Sequence, residues 1–238
     1  MKTKSIASFF LILLSLFNLE AGAPDQVASF SSFEAGAIQN LKPGDILAAK
    51  GSLMSFERGI SSETCFIASA PQDKVSDRIA FWDQTPYSDL GVFIQGKISA
   101  AGDPDFSKLV FNPSLRSMTK FMDKTRDVHP NDGNLHLSGA EISKIMEKKG
   151  SMDAAAMNRV WTDLLTQRFK SYQAEGLKGL ASYDSPKGKI DVSRDVDSLL
   201  SELPRVSKRF GSLFEQVKSH PNDGQHYWQL EDVDGTGD

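Results

Sequence analysis

The sequence predicts an α+β protein, with short N-terminal strands or a hairpin and one C-terminal strand packed on a helix-rich middle. Between residues 41 and 98, short apolar segments are separated by turn residues such as Pro43-Gly44-Asp45, which is typical of strands. Between residues 103 and 217, apolar side chains recur every three or four positions, which predicts about five or six amphipathic helices. Strands grouped before helices favour an α+β arrangement.

The first residues have the layout of a secretory signal peptide. Lys2 and Lys4 provide positive charge, residues 6–17 form an apolar run, and the small residues Ala21-Gly22-Ala23 follow. The apolar run is too short for a membrane span. We therefore expect cleavage after Ala21 or Ala23 and export to the periplasm or the extracellular space.

The remaining chain is interpreted as a flexible leader at residues 24–40, rich in Ser, Ala and Gly, and a single α+β domain at residues 41–238. No later segment is apolar enough to span a membrane. Loss of residues 1–23 would change the net charge from −4 to −5. A mildly acidic surface disfavours nucleic acid and anionic membranes as partners.

The strand predictions begin with Ile46–Ala49 and Thr64–Ser69, and residues 53–58 between them favour a hairpin. Leu90–Ile98 alternates and predicts a further strand. Cys65 is the single cysteine, so it can form no internal disulfide. We expect its thiol to be buried and unreactive.

A helix is predicted after Ala70-Pro71, with Val75, Ile79 and Trp82 on one face. The order of strand, Ala-Pro, helix, Trp82-Asp83 and Pro86 resembles the opening of the helix-grip lipid-binding domains. This resemblance implies an apolar cavity, and it covers only the segment from the second strand to Pro86. The helix-rich remainder departs from that family's strand-dominated order.

Four further helical regions follow along the chain. Residues 103–127 predict two helical pieces, broken at Asn112-Pro113. Ser138 and Glu141 form a capping box at the start of the next helix. Two shorter helices are predicted to start near Ser193 and at Pro204.

The longest predicted helix, Ser151–Leu180, carries a wide apolar stripe. The stripe is large enough to be the surface on which other elements pack. Alternatively, it lines a ligand cavity, and the candidate ligand-binding residues are then Trp161, Leu165, Phe169 and Tyr172.

The segment His-Pro-Asn-Asp-Gly occurs twice, at residues 129–133 and 220–224, and each copy is followed by another histidine. Imidazole and carboxylate groups are common ligands of divalent metals. The candidate metal ligands are His129, His136, His220, His226, Asp132 and Asp223. The alternative is a pair of ordinary turns, because Pro, Asn, Asp and Gly favour tight turns.

The C-terminal segment predicts a strand at residues 225–233 that runs into a glycine-rich turn. Residues 232–238 resemble the first seven positions of an EF-hand calcium loop, with Asp232, Asp234 and Thr236 as oxygen donors. The later ligand positions are absent, and a strand precedes the loop where an EF-hand needs a helix. The simpler interpretation is a strand that runs into a glycine-rich hairpin turn whose return strand is missing, in a chain that was cut short.

Searches for catalytic motifs, including G-x-S-x-G, H-E-x-x-H and phosphate-binding glycine loops, find none. We therefore expect an exported, non-enzymatic protein that binds a small apolar ligand or a protein partner of the cell envelope, without a cofactor. The alternative is a metal-binding protein or metal-dependent hydrolase that uses the repeated His loops with a divalent ion. A third hypothesis is a structural part of an envelope assembly, completed by a partner for the last strand.

Overall fold

The computed structural model describes residues 23–51, 54–55, 59–80, 82–98, 106–131, 133, 135–148, 150, 152–219 and 226–231. These residues form a mixed α+β structure with eight α-helices and short strands in small antiparallel sheets. The predicted fold class is therefore confirmed. The predicted signal peptide lies outside the described residues, apart from its last position.

The helices are α1 (Ala23–Phe30), α2 (Ala35–Gln39), α3 (Gln72–Ala80), α4 (Arg116–Arg126), α5 (Gly139–Glu147), α6 (Ala154–Glu175), α7 (Val192–Glu202) and α8 (Pro204–Ser219). Two short 3₁₀ helices lie at Ser88–Leu90 and Gly176–Gly179. The segment interpreted as a leader, residues 24–40, thus contains all of α2 and all of α1 except Ala23. Within the same described residues, no helix is long and apolar enough to cross a membrane.

The strands are β1 (Ile46–Lys50), β2 (Ser62–Phe66), β3 (Val92–Ile98), β4 (Tyr183–Ser185), β5 (Gly188–Ile190) and β6 (His226–Glu231). They form three antiparallel pairs, β1 with β2, β3 with β6 and β4 with β5. The last strand therefore has a partner in β3. The hypothesis of a last strand without a partner was wrong, because β3, far upstream in the sequence, pairs with it. The suggested return strand after the glycine-rich turn stays a prediction, since residues 232–238 lie outside the described residues.

The chain divides into two compact units. Of the described residues, the first unit contains those in 83–193 and 215–231, and the second contains those in 23–82 and 194–214. Helix α8 belongs to both, since the division falls between Phe214 and Glu215.

The first unit has a continuous apolar core built by α4, α5, α6 and the β3–β6 pair. Its buried members are Ile98, Phe106, Leu109, Phe111, Met122, Val128, Leu137, Ile142, Ile145, Met152, Met157, Val160, Trp161, Leu164 and Phe169. Trp228 and Leu230 of β6 pack against this cluster. The prediction of a C-terminal strand packed on the helices is confirmed by these two contacts.

One helix prediction in this unit was wrong. The spacing of Phe106, Leu109 and Phe111 predicts the first helical piece of residues 103–127, but these residues lie in a non-helical segment and are buried. The Phe111 N–H donates to Asn158 Oδ1 on α6, at 2.9 Å. Its amide thus finds a side-chain acceptor on another element instead of a carbonyl one turn back. The segment after Asn112-Pro113 forms α4 as predicted.

The capping box at the start of α5 is confirmed. Ser138 accepts a hydrogen bond from the Glu141 N–H, and the Glu141 carboxylate accepts one from the Ser138 N–H. The long helix is also present, as α6 followed by the 3₁₀ turn. Asp153 caps α6 by accepting from the Ala156 N–H at 2.7 Å.

The second unit has little buried apolar surface. Of the twenty buried apolar side chains among the described residues, only Leu41 and Phe214 belong to it. Helices α1, α2, α3 and α7 contain no buried residue. Several of its links are polar, including one from the Ser32 N–H to Glu63 Oε2 at 2.6 Å. This unit therefore leaves much of its apolar surface accessible.

Candidate functional site

The candidate ligand-binding residues of α6 lie together against the core of the first unit. Trp161 and Phe169 are buried, and Leu165 and Tyr172 are partly buried against the same cluster. The Trp161 indole N–H donates to Thr125 Oγ1 at 3.3 Å. The stripe is thus occupied by the protein's own side chains, and a role in ligand binding stays a prediction.

The C-terminal part of this stripe contacts His226, one of the four histidines. The His226 ring lies edge-on to Phe169 at 5.2 Å and to Tyr172 at 5.7 Å between ring centroids. Tyr172 donates its hydroxyl to the Val217 carbonyl at 2.8 Å, and burial raises the pKa of this phenol. These contacts pack His226 into an aromatic corner next to the end of α8.

The first His loop has the geometry of a turn. His129 Nδ1 lies 3.2 Å from the Pro130 carbonyl oxygen, and Asn131 has a left-handed φ of 64°. Asparagine tolerates this conformation, as turn chemistry requires. His136, also at positive φ, stacks on Tyr183 with ring centroids 6.0 Å apart.

Most of the second His loop and both candidate Asp ligands lie outside the described residues. Asp132, His220 and Asp223 are outside the described residues, as are the EF-like residues 232–238. Among the residues that are described, no three of His, Cys, Asp and Glu form a group that could hold a metal. The metal-binding hypothesis stays a prediction.

A polar cluster at the start of α5 joins four segments of the first unit. The Arg168 guanidinium donates to both carboxylate oxygens of Glu141 and to the His136 carbonyl. Its Cζ atom lies 4.8 Å from the Tyr183 ring centroid. The sequence predicts Glu141 as a helix cap, but it gives no signal for its ion pair with Arg168 of α6, because the two residues are 27 positions apart.

The electrostatics of this cluster favour both charges. Burial by itself would raise the pKa of Glu141. The hydrogen bonds and positive charge of Arg168, together with the hydrogen bonds from Ser138, instead lower this pKa below the ordinary value. Burial by itself would lower the pKa of Arg168. The hydrogen bond that Arg168 donates to Glu141, the nearby Tyr183 and the charge of Glu141 together raise this pKa above the ordinary value. Both groups are thus held ionised, so the cluster has the character of a structural ion pair rather than an acid–base pair.

The second unit presents an exposed β-hairpin face. In the β1–β2 ladder Ile46 lies opposite Phe66, Ala48 opposite Thr64 and Lys50 opposite Ser62. We name these six residues the hairpin face. All six are exposed, while the alternate residues of both strands are partly buried. One face of the hairpin therefore points to solvent although it carries large apolar side chains.

The apolar end of this face is prominent. Ile46 is 68% exposed and Phe66 is 56% exposed. Next to it, an open depression of about 410 Å³ is lined by Ala37, Asn40, Leu41, Asp45, Ile46 and Leu47. Sequence reasoning found both strands but missed the face, because the alternation alone does not say which side is buried. Two apolar residues directly opposite each other would have indicated this face, but the sequence alone does not give the strand register that places Ile46 opposite Phe66.

Cys65 lies on the other side of the hairpin and is partly buried. Desolvation by burial raises the pKa of its thiol above the ordinary value. A raised pKa favours the protonated, weakly nucleophilic form of the thiol. The expected full burial is not found, because Cys65 is only partly buried, and its lack of reactivity stays a prediction.

Comparison with known proteins finds no matching family model, curated protein or solved structure.

Proposed function

We propose that the chain is an exported binding protein whose second unit binds a partner protein through the hairpin face. The observation that carries this proposal is the exposure of the opposed pair Ile46 and Phe66. Clustered exposed apolar side chains are typical of surfaces that another molecule covers. The signal-peptide layout of residues 1–23 supports export, and the sequence contains none of the catalytic motifs that we sought.

The shape of the surface favours a protein over a small apolar ligand. Small-molecule sites are concave and bury about 70% or more of the ligand surface. Ile46 and Phe66 instead project from one face of a two-stranded ladder, and the adjoining depression is open. Such a surface can desolvate fully only against another extended surface, which a protein partner supplies.

The low burial of the second unit gives the partner an energetic role. Its described helices outside α8 contain no buried residue, whereas the first unit has a continuous core. Covering apolar surface contributes roughly 25 cal/mol per Å². We therefore expect partner binding to stabilise the second unit more than the first.

A photocrosslinking experiment tests the hairpin face. The photoreactive residue p-benzoylphenylalanine replaces Phe66 in one variant and Val110 in a control, since Val110 belongs to the first unit and is 53% exposed. In cells that export the protein, we expect a discrete protein adduct from position 66 and none from position 110. Adding Ile46→Asp should weaken that adduct.

Two outcomes of the crosslinking experiment contradict the proposal. Equal labelling from positions 66 and 110 would show that exposure alone decides the reaction. An adduct of lipid-like mass at position 66 would assign the face to a small apolar ligand.

Export is tested separately by intact mass. The protein recovered from outside the cytoplasm should begin after Ala21 or Ala23. Full-length protein that stays inside the cell would contradict this part of the proposal.

A further inference from the structure

We infer that the partner contributes an extended segment that adds as a third strand to the free edge of β1. This inference rests on the proposed function, and it specifies how the partner is bound. Across the described residues, β1 and β2 form a sheet of two strands, so each has one edge without a neighbouring strand. Strand addition to such an edge is a recurrent mode of peptide recognition.

The ladder register fixes which backbone groups face that edge. The Gly51 N–H donates to the Ser61 carbonyl at 2.9 Å, so these two residues form a hydrogen-bonded pair. In an antiparallel ladder such pairs alternate with pairs that exchange no hydrogen bond. The N–H and C=O groups of Ile46, Ala48 and Lys50 therefore point away from β2, toward the free edge.

The same three residues carry the exposed side chains of β1. An added strand would hydrogen-bond to their backbone and would place alternate side chains on the hairpin face, next to Ile46 and Ala48. The depression at the start of β1 borders Ile46 and Leu47 and would take up part of an apolar side chain. Backbone and side-chain recognition thus act at the same positions.

Charge at the two ends of β1 defines the partner further. Asp45 directly precedes the strand and Lys50 is its last residue, and both are exposed. The middle of the strand has no charge. The complementary segment has an apolar middle, a carboxylate opposite Lys50 and a cation opposite Asp45. For antiparallel addition, the carboxylate comes first in the segment.

These features specify a probe. We use the peptide acetyl-Glu-Thr-Val-Thr-Val-Lys-amide, in which Glu lies opposite Lys50, and the two Val lie opposite Ala48 and Ile46 in the antiparallel register. The amides of the two Val then point toward β1, and those of the two Thr point away. Methylating the Val amides removes the donors, while methylating the Thr amides is a matched control.

Binding is measured on the mature full chain by chemical-shift titration. We expect the Val-methylated peptide to bind about thirtyfold more weakly than the Thr-methylated one, since two hydrogen bonds are lost. The peptide with Glu and Lys exchanged should also bind more weakly. Lys50→Glu should weaken the original probe and restore binding of the version that begins with Lys.

Three outcomes would overturn the inference. Equal effects of the two methylations would mean that the face binds side chains without strand addition. No binding of any probe at millimolar concentration would remove the edge as a site. Protection of the Ala48 amide that rises with protein concentration, without peptide, would assign the edge to a second copy.

Failure here is distinct from failure of the proposed function. A protein adduct from position 66, together with probes that do not discriminate, would leave partner binding in place and remove only strand addition. If that adduct is absent but the probes bind as expected, the edge of β1 still accepts an added strand. The proposed partner protein in the exporting cell would then be removed.

Discussion

Arg168 and Glu141 form a two-point ion pair between the middle of α6 and the first turn of α5. Arg168 Nε donates to Glu141 Oε1 at 2.7 Å, and Nη2 donates to Oε2 at 2.9 Å. The same Nη2 donates to the His136 carbonyl at 2.8 Å. The guanidinium thus joins two helices to the loop that carries the first His-Pro-Asn-Asp-Gly segment.

Neutralising this carboxylate should destabilise the protein. The side chains of Arg168 and Glu141 are only 22% and 14% exposed, so Glu141→Gln leaves a largely desolvated cation without its counter-charge. We expect the free energy of unfolding to fall by about 3 kcal/mol. Asp123→Asn is the control, because the Asp123–Arg126 pair is more exposed and should cost less than about 1 kcal/mol. Urea denaturation measures both, and equal losses would contradict the prediction.

The same pair should contribute to acid sensitivity. The pKa of Glu141 is lowered in the folded state, so its contribution is complete above the unfolded-state value of about 4.3 and is lost as pH falls through the folded pKa. The free energy of unfolding should therefore decrease between about pH 5 and pH 3. Glu141→Gln should make this decrease shallower. A slope unchanged from that of the parent protein would show that other carboxylates cause it.

A buried hydroxyl supports the largest aromatic side chain of α6. Thr125 is fully buried; its Oγ1 accepts from the Trp161 indole N–H and donates to the Phe121 carbonyl. Thr125→Val keeps the shape but removes the acceptor, so the indole N–H is buried without a partner. We expect a loss of about 1–3 kcal/mol in the free energy of unfolding. Thr119→Val on the same helix is the control, since its hydroxyl bonds are exposed. A similar loss in both variants would refute this role.

Gly176 ends α6 in a conformation that other residues avoid. Its φ and ψ are 64° and −151°, and a Cβ there would overlap the Lys218 carbonyl oxygen of α8. Gly176→Ala should lower the free energy of unfolding by at least about 2 kcal/mol. Gly211, which lies within α8, is the opposite case. Nothing lies within 4 Å of the position that a Cβ of Gly211→Ala would take. This substitution should be neutral or stabilise by up to about 1 kcal/mol. Thermal denaturation distinguishes the two, and a tolerated Gly176→Ala would contradict the close approach.

Local patterns predicted those features whose interactions lie a few residues apart. The capping box is one such case, since Ser138 and Glu141 are three residues apart and satisfy each other's backbone groups. Pro204 marked the start of α8 for the same kind of reason. Spacing was misleading at Phe106–Phe111, where apolar side chains reach the core from an irregular segment. Periodicity reports burial there rather than a helix.

The candidate sites divide in the same way. The His loops were visible as a repeat, yet His136 and His226 each pack against aromatic rings that are distant in sequence. The hairpin face was invisible, because Ile46 and Phe66 become neighbours only once the β1–β2 register is fixed. A one-residue slip of either strand would have placed these two side chains on opposite faces of the hairpin.

The sequence by itself determined the α+β class, most helix positions and the turn chemistry, because these depend on interactions within one or two helical turns. Only the tertiary structure decided that β6 pairs with β3, that Arg168 joins α5 and that the hairpin face stays exposed. Each of these depends on which distant surfaces meet. That choice is made by the packing of the whole core, where many segments compete for the same partners, and no short stretch of sequence specifies it.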